Sequence, residues 1–201
     1  MSQTAIVVLA AGNAKRMGKS KQLLPWGNST LLGSIIRNVL LTDADLFFAV
    51  LGAYQNEIIE KINFSKTNVL INENWQKGLG SSITLAVEEI NQKYTDVNAV
   101  LFVLADQPFI GHIHLNTMLQ LHQKGEDVII ITAKEDYKGV PVLFPGKYFP
   151  ELMLLSGDEG AKEIIKKNKS QVREVETKDD IIDIDTFESY HALHKILNKT
   201  E

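Results

Sequence analysis

Ala5-Ile6-Val7-Val8-Leu9-Ala10-Ala11, followed at once by Gly12-Asn13-Ala14-Lys15-Arg16-Met17-Gly18-Lys19-Ser20-Lys21, decides how the rest of the chain is read. The first seven residues are all apolar and rich in Ile and Val, a length and composition that fit one buried strand. The next ten hold two glycines, four cationic side chains and no anionic one. Glycine allows a sharp turn and a close approach of backbone to ligand. Backbone N–H groups in such a loop, with Lys and Arg beside them, are what a polyphosphate needs. A solvated basic loop is the competing reading, and the residues further along decide between the two.

The 201 residues are 44 % hydrophobic, enough for one globular domain spanning 1–201 with a sizeable core. The net charge of −4 hides an asymmetry. Residues 1–42 contain no Asp or Glu, only Lys15, Arg16, Lys19, Lys21 and Arg37, while the remainder carries 16 basic and 25 acidic side chains. A basic segment in an acidic chain points to a local anion site, not to a nucleic-acid partner. Cysteine is absent, so neither a disulfide framework nor a thiolate zinc site is available. The N-terminal apolar run precedes the basic residues, the reverse of a signal peptide. No apolar stretch approaches about 18 residues, so no membrane partner is expected. A reducing, cytoplasmic setting fits.

Pro25 and Gly27 make residues 23–28 an irregular turn, and Ser29 or Thr30 then caps a helix over 31–40. Further strands are predicted at 46–51, 68–72, 99–105, 127–132 and 140–144, and near Val172 and Ile181. Helices are predicted at 57–62, from Ser81 or Ser82 to Tyr94, and at 113–123, 150–155, 159–167 and 187–197. Strands alternating with helices imply an α/β fold: a mostly parallel central sheet covered on both faces.

Ligands of such sheets bind at the carboxyl ends of the strands. The apolar run Ala99 to Ala105 belongs in the middle of the sheet and ends at Asp106-Gln107-Pro108. A carboxylate there, beside a polyphosphate loop, can hold a metal or a reacting group; a turn cap is the bland alternative. In Asp179-Asp180-Ile181-Ile182-Asp183-Ile184-Asp185, a strand would place Asp183 and Asp185 on one face. Either an edge strand wears its charges outward, or Asp183 or Asp185 meets Asp106 across Mg²⁺, an ion that takes one or two carboxylates and fills its other sites with water and phosphate oxygens. His112, His114, His191 and His194 read as surface or capping residues, and Trp26 and Trp75 as packing residues. Gly12 to Ser20 is not a Walker A loop, because five residues, 13–17, separate its glycines where that motif has four.

Leu9-Ala10-Ala11-Gly12-x-x-x-Arg16-Met17-Gly18-x-x-Lys21 resembles the signature of the MobA-like nucleotidyltransferases, and within them most resembles the molybdenum cofactor cytidylyltransferases. The similarity continues in family order through Asn72-x-x-Trp75-x-x-Gly78-x-x-Ser81-Ser82, Asp106-Gln107-Pro108 and Pro141-Val142-Leu143-Phe144. It ends with Ser156-Gly157-Asp158-Glu159-Gly160-Ala161 and Asp183-Ile184-Asp185-Thr186. Two positions depart. Val140 stands where the family usually has His or Asn, in a segment expected near the acceptor. Phe187-Glu188-Ser189 replaces Pro-Glu-Asp, a change at the start of the last helix.

The resemblance implies a three-layer, Rossmann-like nucleotidyltransferase fold. It also implies transfer of a nucleoside monophosphate, CMP, from CTP to a phosphorylated acceptor of the molybdopterin type, with release of pyrophosphate and with a molybdoenzyme as a possible recipient of the product. Leu9, Ala10, Ala11, Gly12, Met17 and Gly18 would form the phosphate loop. Arg16 and Lys21 would neutralise phosphate charge. Asp106 with Asp185 or Asp183 would hold Mg²⁺. Asn72, Ser81 and Ser82 would lie at the base or ribose. Guanylyl-transferring relatives usually have glycine at the position of Ala11, so its methyl group favours CTP over GTP. A sugar-phosphate nucleotidyltransferase would share the first half of this reading; a nucleotide-sensing module would need the loop but no carboxylate pair.

Overall fold

The computed structural model describes residues 3–13, 17–158 and 160–200, with side chains through residue 195. In chain order the elements are β1 (Gln3–Ala10), a small hairpin of β2 (Pro25–Trp26) and β3 (Ser29–Thr30), α1 (Leu31–Val39), β4 (Leu46–Leu51) and α2 (Gln55–Lys61). Then come β5 (Asn68–Ile71), α3 (Leu79–Lys93), β6 (Val97–Leu104), α4 (His112–Gln123), β7 (Ile129–Lys134) and β8 (Tyr137–Pro145). α5 (Phe149–Leu152), α6 (Lys162–Lys167), β9 (Val172–Glu176) and α7 (Phe187–Thr200) complete the chain.

Seven strands form one sheet in the order β5-β4-β1-β6-β8-β7-β9. β8 alone among them runs against its neighbours, because a two-residue turn at Glu135-Asp136 returns the chain beside β7. The positive φ of Glu135, +49°, suits a tight hairpin. β1, apolar from Ala5 onward, sits between two parallel neighbours and buries both faces, as that composition requires. Alternate residues serve different layers. Ala5, Val7 and Leu9 pack with Phe102 and with Ile83, Ala86 and Ile90 of α3. Ile6, Val8 and Ala10 pack with Leu101 and with Ile35 and Ile36 of α1 and Leu115 and Met118 of α4. The architecture is therefore helices, sheet, helices, as expected of a Rossmann-like nucleotidyltransferase fold. Each fully buried Leu, Ile or Phe contributes on the order of 1.5–3 kcal/mol of apolar transfer.

Local signals fall mostly where the residue types put them. Thr30 caps α1 by accepting a hydrogen bond from Gly33 N at 3.1 Å. Thr186 and Ser189 cap α7 reciprocally, Ser189 N donating to Thr186 Oγ1 at 3.1 Å and Thr186 N to Ser189 Oγ at 3.2 Å. The family departure at residues 187–189 thus keeps a working helix start.

Four expectations are corrected. Residues 23–28 are not irregular throughout, since β2 and β3 pair there. α3 begins at Leu79, before Ser81, because Gly78 at φ +94° turns the chain; Ser81 and Ser82 lie in the first turn and neither is the N-cap. No strand forms near Ile181 among the described residues. β9 is the sheet edge, and the segment after it leaves the sheet to bury Ile184 against Met17, Trp26, Leu31 and Tyr190. The predicted helix at 159–167 is shorter, 162–167, and Glu159 lies outside the described residues.

Gly52, just past β4, has no room for a side chain: a Cβ there would come within 2.6 Å of Trp75 Cβ and 2.8 Å of the Ala11 carbonyl. Gly12 faces open space, with nothing within 4 Å of such a Cβ. Gly52→Ala should lower unfolding free energy by about 1–3 kcal/mol, as overpacking does, and Gly12→Ala by no more than about 0.5 kcal/mol. Equal midpoints for the two variants in urea denaturation would contradict this packing.

Candidate active site

The chain runs from β1 outward through β4 and β5, then crosses to β6 on the other side of β1. The crevice at this reversal, outside the carboxyl ends of β1 and β6, is where open α/β sheets bind ligands. Register places Leu9 beside Leu104, so the loop at Gly12 and the turn at Asp106 leave the sheet side by side. A cleft of about 1000 Å³ opens there. Leu9, Ala10, Ala11, Gly12, Lys21 and Asp106 form one side, and Asp185 stands at the same mouth. Trp75, Gly78, Leu79 and Ser82, from the start of α3, line the cleft as well, together with Asp158.

Lys21 is the centre of the arrangement. Its Nζ donates to Asp106 Oδ2 at 2.8 Å, to the Ile184 carbonyl at 3.2 Å and to Asp185 Oδ1 at 3.2 Å. Its side chain is 12 % exposed. Burial opposes the ammonium form, but the charge and hydrogen bond of Asp106, then those of Asp185, outweigh it and raise the pKa. Because the folded pKa lies above the ordinary 10.5, the stabilisation is fully present below that value and is lost only as pH climbs through the raised one. At neutral pH Lys21 carries its charge. The second oxygen of Asp106, Oδ1, is buried without a hydrogen-bond partner among the described residues. A buried carboxylate oxygen with no partner is costly unless something else meets it.

Gln22, beside Lys21, is 1 % exposed and holds the loop from beneath. Its Nε2 donates to the carbonyls of Ala10 and Gly12, both at 2.9 Å. Those carbonyls are thereby turned toward the protein.

The other predicted residues divide. Ser82 reaches the cleft; Asn72 and Ser81 do not line it. Asn72 is 3 % exposed and donates to both Ser81 Oγ and Ser82 Oγ at 2.9 Å, so it holds the first turn of α3 in place. Asp183 Oδ1 accepts from Gln107 Nε2 at 2.9 Å and is not part of the cleft wall. Its pKa is raised, mainly by partial burial, opposed by the Gln107 bond and reinforced by Asp106 and Asp185, with Lys21 opposing. Met17 is buried against Trp26 and Ile184 and serves packing. Gly18, at φ +58°, turns the chain beyond the cleft. Arg16 lies outside the described residues. Trp26 packs on Phe109 as expected, whereas Trp75 lines the cleft. Val140, at the other family departure, does not line it either; its carbonyl accepts from Tyr137 Oη at 2.8 Å.

Gln22 went unread in the sequence, and Asp158 and Trp75, quoted there only among the family motifs, were given no place in the cleft wall. Only the adjacency of Gln22 to Lys21 hinted at the first. Among the described residues, no group of three or more His, Asp or Glu side chains is placed to hold a metal unaided. Asp106 and Asp185 present two carboxylates at one cleft, within the one or two that Mg²⁺ takes beside substrate phosphates.

A glycine loop, a lysine and a strand-end carboxylate around one cleft are the parts of an NTP-handling site. The chain belongs to the MobA-like NTP transferase domain family, whose model matches residues 6–173. It is 26 % identical to nicotine blue oxidoreductase of Paenarthrobacter nicotinovorans, covering 93 % of this chain and 94 % of that one. It is 25 % identical to the molybdenum cofactor cytidylyltransferase of Escherichia coli K12, covering 90 % and 95 %. Among solved structures, it resembles a homologue of the Mycobacterium tuberculosis protein Rv0371c, from Mycobacterium sp. strain JC1, with a TM-score of 0.85, 28 % identity and 98 % coverage of both chains. Rv0371c itself, solved in complex with manganese, matches with a TM-score of 0.82 at 25 % identity over 96 % of this chain and 99 % of that one.

Gln22→Ala should leave the Ala10 and Gly12 carbonyls without their donor and lower stability by about 1–3 kcal/mol. Amide exchange in residues 10–13 should accelerate relative to the core of β6. Unchanged exchange in the loop would show that Gln22 does not support it.

Proposed function

We propose that this protein moves a nucleoside monophosphate from an NTP, preferentially CTP, to a small phosphorylated acceptor of the molybdopterin type and releases pyrophosphate. The observation that carries the reading is the Lys21–Asp106–Asp185 cluster beside the Gly12 loop, with one Asp106 oxygen buried and without a partner among the described residues.

The residues fit a divalent cation: Asp106 has an oxygen that no described residue meets, Asp185 is 54 % exposed, and a lysine ammonium already lies against both. Asp106 and Asp185 would hold Mg²⁺, with Asp183 retained by Gln107. Bound there, the ion supplies charge neutralisation and a template for the triphosphate. A trans peptide points each N–H opposite to the carbonyl before it, so Gln22 on the Ala10 and Gly12 carbonyls and Ala53 N on the Ala11 carbonyl leave the N–H groups of Ala11, Gly12 and Asn13 to the phosphates. Lys21 neutralises charge that accumulates at the α-phosphate and the departing pyrophosphate as an acceptor oxygen attacks in line. Arg16 belongs to the same loop and is assigned the same task on the family resemblance. Ser82 and Trp75 border the space left for ribose and base. The transfer requires no protein nucleophile.

Pyrophosphate release should be measured with each of the four NTPs, with Mg²⁺ or EDTA, and with or without a molybdopterin-type acceptor. Metal- and acceptor-dependent release, fastest with CTP, is the expected result. Because a relative of comparable identity is named an oxidoreductase, NADH and NADPH consumption is followed in parallel. Nicotinamide oxidation without pyrophosphate from any NTP would overturn the reading. Asp106→Asn should fold and lose transfer by several kcal/mol in the barrier; near-normal turnover in the folded variant would remove Asp106 from the site.

Nucleotide choice rests on Ala11, which is 6 % exposed and fixed by its carbonyl's bond to Ala53 N at 3.0 Å. A methyl group on the backbone nearest the nucleotide crowds a purine more than a pyrimidine. Such a group discriminates by about 1–3 kcal/mol. Ala11→Gly should therefore narrow the CTP-to-GTP ratio of kcat/KM by about 10- to 200-fold. Equal kcat/KM for CTP and GTP in the unmutated protein would refute this preference and leave nucleotidyl transfer standing.

A further inference from the structure

The position of Lys21 carries a consequence for metal binding that a phosphate-binding lysine alone does not. Its ammonium donates to Asp106 Oδ2 and Asp185 Oδ1 at 2.8 and 3.2 Å, so it already occupies the space between the two carboxylates assigned to the ion. It also donates to the Ile184 carbonyl at 3.2 Å, which fixes it against the backbone of the acidic segment. That segment is fastened independently: Ile184 N donates to the Asp106 carbonyl at 3.0 Å, Ile184 is fully buried, and Gln107 donates to Asp183. The two carboxylates would thus remain near each other without the lysine. Lys21 therefore serves to neutralise them as well as to meet the substrate.

We propose that Lys21 is a built-in counter-cation of the nucleotide-free site, which a divalent ion must displace to reach both Asp106 and Asp185. This deepens the function proposed above and rests on its assignment of the metal to these carboxylates. Two cations cannot share a carboxylate pair this close without strong repulsion, so bare metal binds weakly while the ammonium is in place. Triphosphate offers Lys21 a second anionic partner. Once Lys21 turns to the phosphates, Asp106 and Asp185 are released to the metal. The site thereby favours the metal–nucleotide pair over the metal alone, and the carboxylates never stand uncompensated.

The test is Mn²⁺ binding to the nucleotide-free protein, followed by electron paramagnetic resonance of the free ion, for the unmutated chain, Lys21→Gln and Lys21→Arg. Thermal melting in EDTA checks that each variant is folded. Lys21→Gln should bind Mn²⁺ at least about tenfold more tightly than the unmutated chain, since removing the cation unmasks two carboxylates. Lys21→Arg, which keeps the charge, should stay within about threefold of it. Lys21→Gln should nevertheless bind CTP more weakly. If Lys21→Gln fails to fold in EDTA, rescue of its melting transition by Mn²⁺, with no comparable shift for Lys21→Arg, gives the same answer. Equal or weaker Mn²⁺ affinity in folded Lys21→Gln overturns the proposal, and so does absence of rescue in a variant that needs it. Neither result touches nucleotidyl transfer, which is read by pyrophosphate release from the unmutated chain. Tighter Mn²⁺ binding by Lys21→Gln in a protein that releases no pyrophosphate would uphold the counter-cation and refute the transferase reading.

Discussion

A single ammonium group joins parts of the chain that are far apart in sequence. Lys21 follows the first strand, Asp106 stands just past the end of β6, and Asp185 lies on the segment before α7; their side chains meet within 3.2 Å. An ion pair this enclosed is costly to assemble, because both partners lose water, and it is costlier still to break on one side only. The surrounding structure meets that cost with further bonds: the Ile184 carbonyl on the lysine, the Asp106 carbonyl on Ile184 N and Gln107 on Asp183. The Gly12 loop, the end of β6 and the acidic segment consequently behave as one unit around the cleft.

The start of α3 is built on a different principle, close backbone packing. A Cβ on Gly78 would fall within 2.5 Å of the Gly157 carbonyl, and one on Gly80 within 2.9 Å of Ser156. Gly80 N donates to the Gly157 carbonyl at 2.9 Å. Residues 156–158 can therefore lie directly on the first turn of α3, bringing Asp158 to the cleft. Asn72 completes this wall by bonding both serines of that turn. One side of the cleft is thus polar and held by ion pairs, while the other is shaped by the lack of side chains.

Much of this was legible in the residues. β1 and β6 are apolar along nearly their whole length, which only a strand covered on both faces tolerates, and Asp106 follows the second of them directly. Glycine and lysine spacing disclosed the loop. Other parts were not legible, for physical reasons. The alternation of Asp and Ile at 179–185 is the pattern of a half-buried strand, yet Ile184 finds its cover against Trp26 and Tyr190 and not in the sheet. Period alone cannot tell which surface buries an isoleucine. Met17 sits inside the loop signature but is spent on packing. Ser81 and Ser82 have the residue type of a cap, but Gly78, with a backbone geometry that few other residues adopt, starts the helix earlier. Gln22 gave no periodic or compositional signal, because its role depends on two carbonyls that only the folded loop brings together.

The central claim is that Lys21, Asp106 and Asp185 exchange partners when nucleotide and metal arrive. A crystal structure with Mg²⁺ and a CTP analogue that cannot be cleaved between its α- and β-phosphates tests it most directly. The expected complex has the triphosphate against the backbone of Ala11 and Gly12, the ion on Asp106 and Asp185, and Lys21 Nζ on phosphate oxygen, no longer on the carboxylates. A nucleotide bound elsewhere, or one bound in the cleft with both Lys21–carboxylate contacts intact and no ion between them, would contradict it.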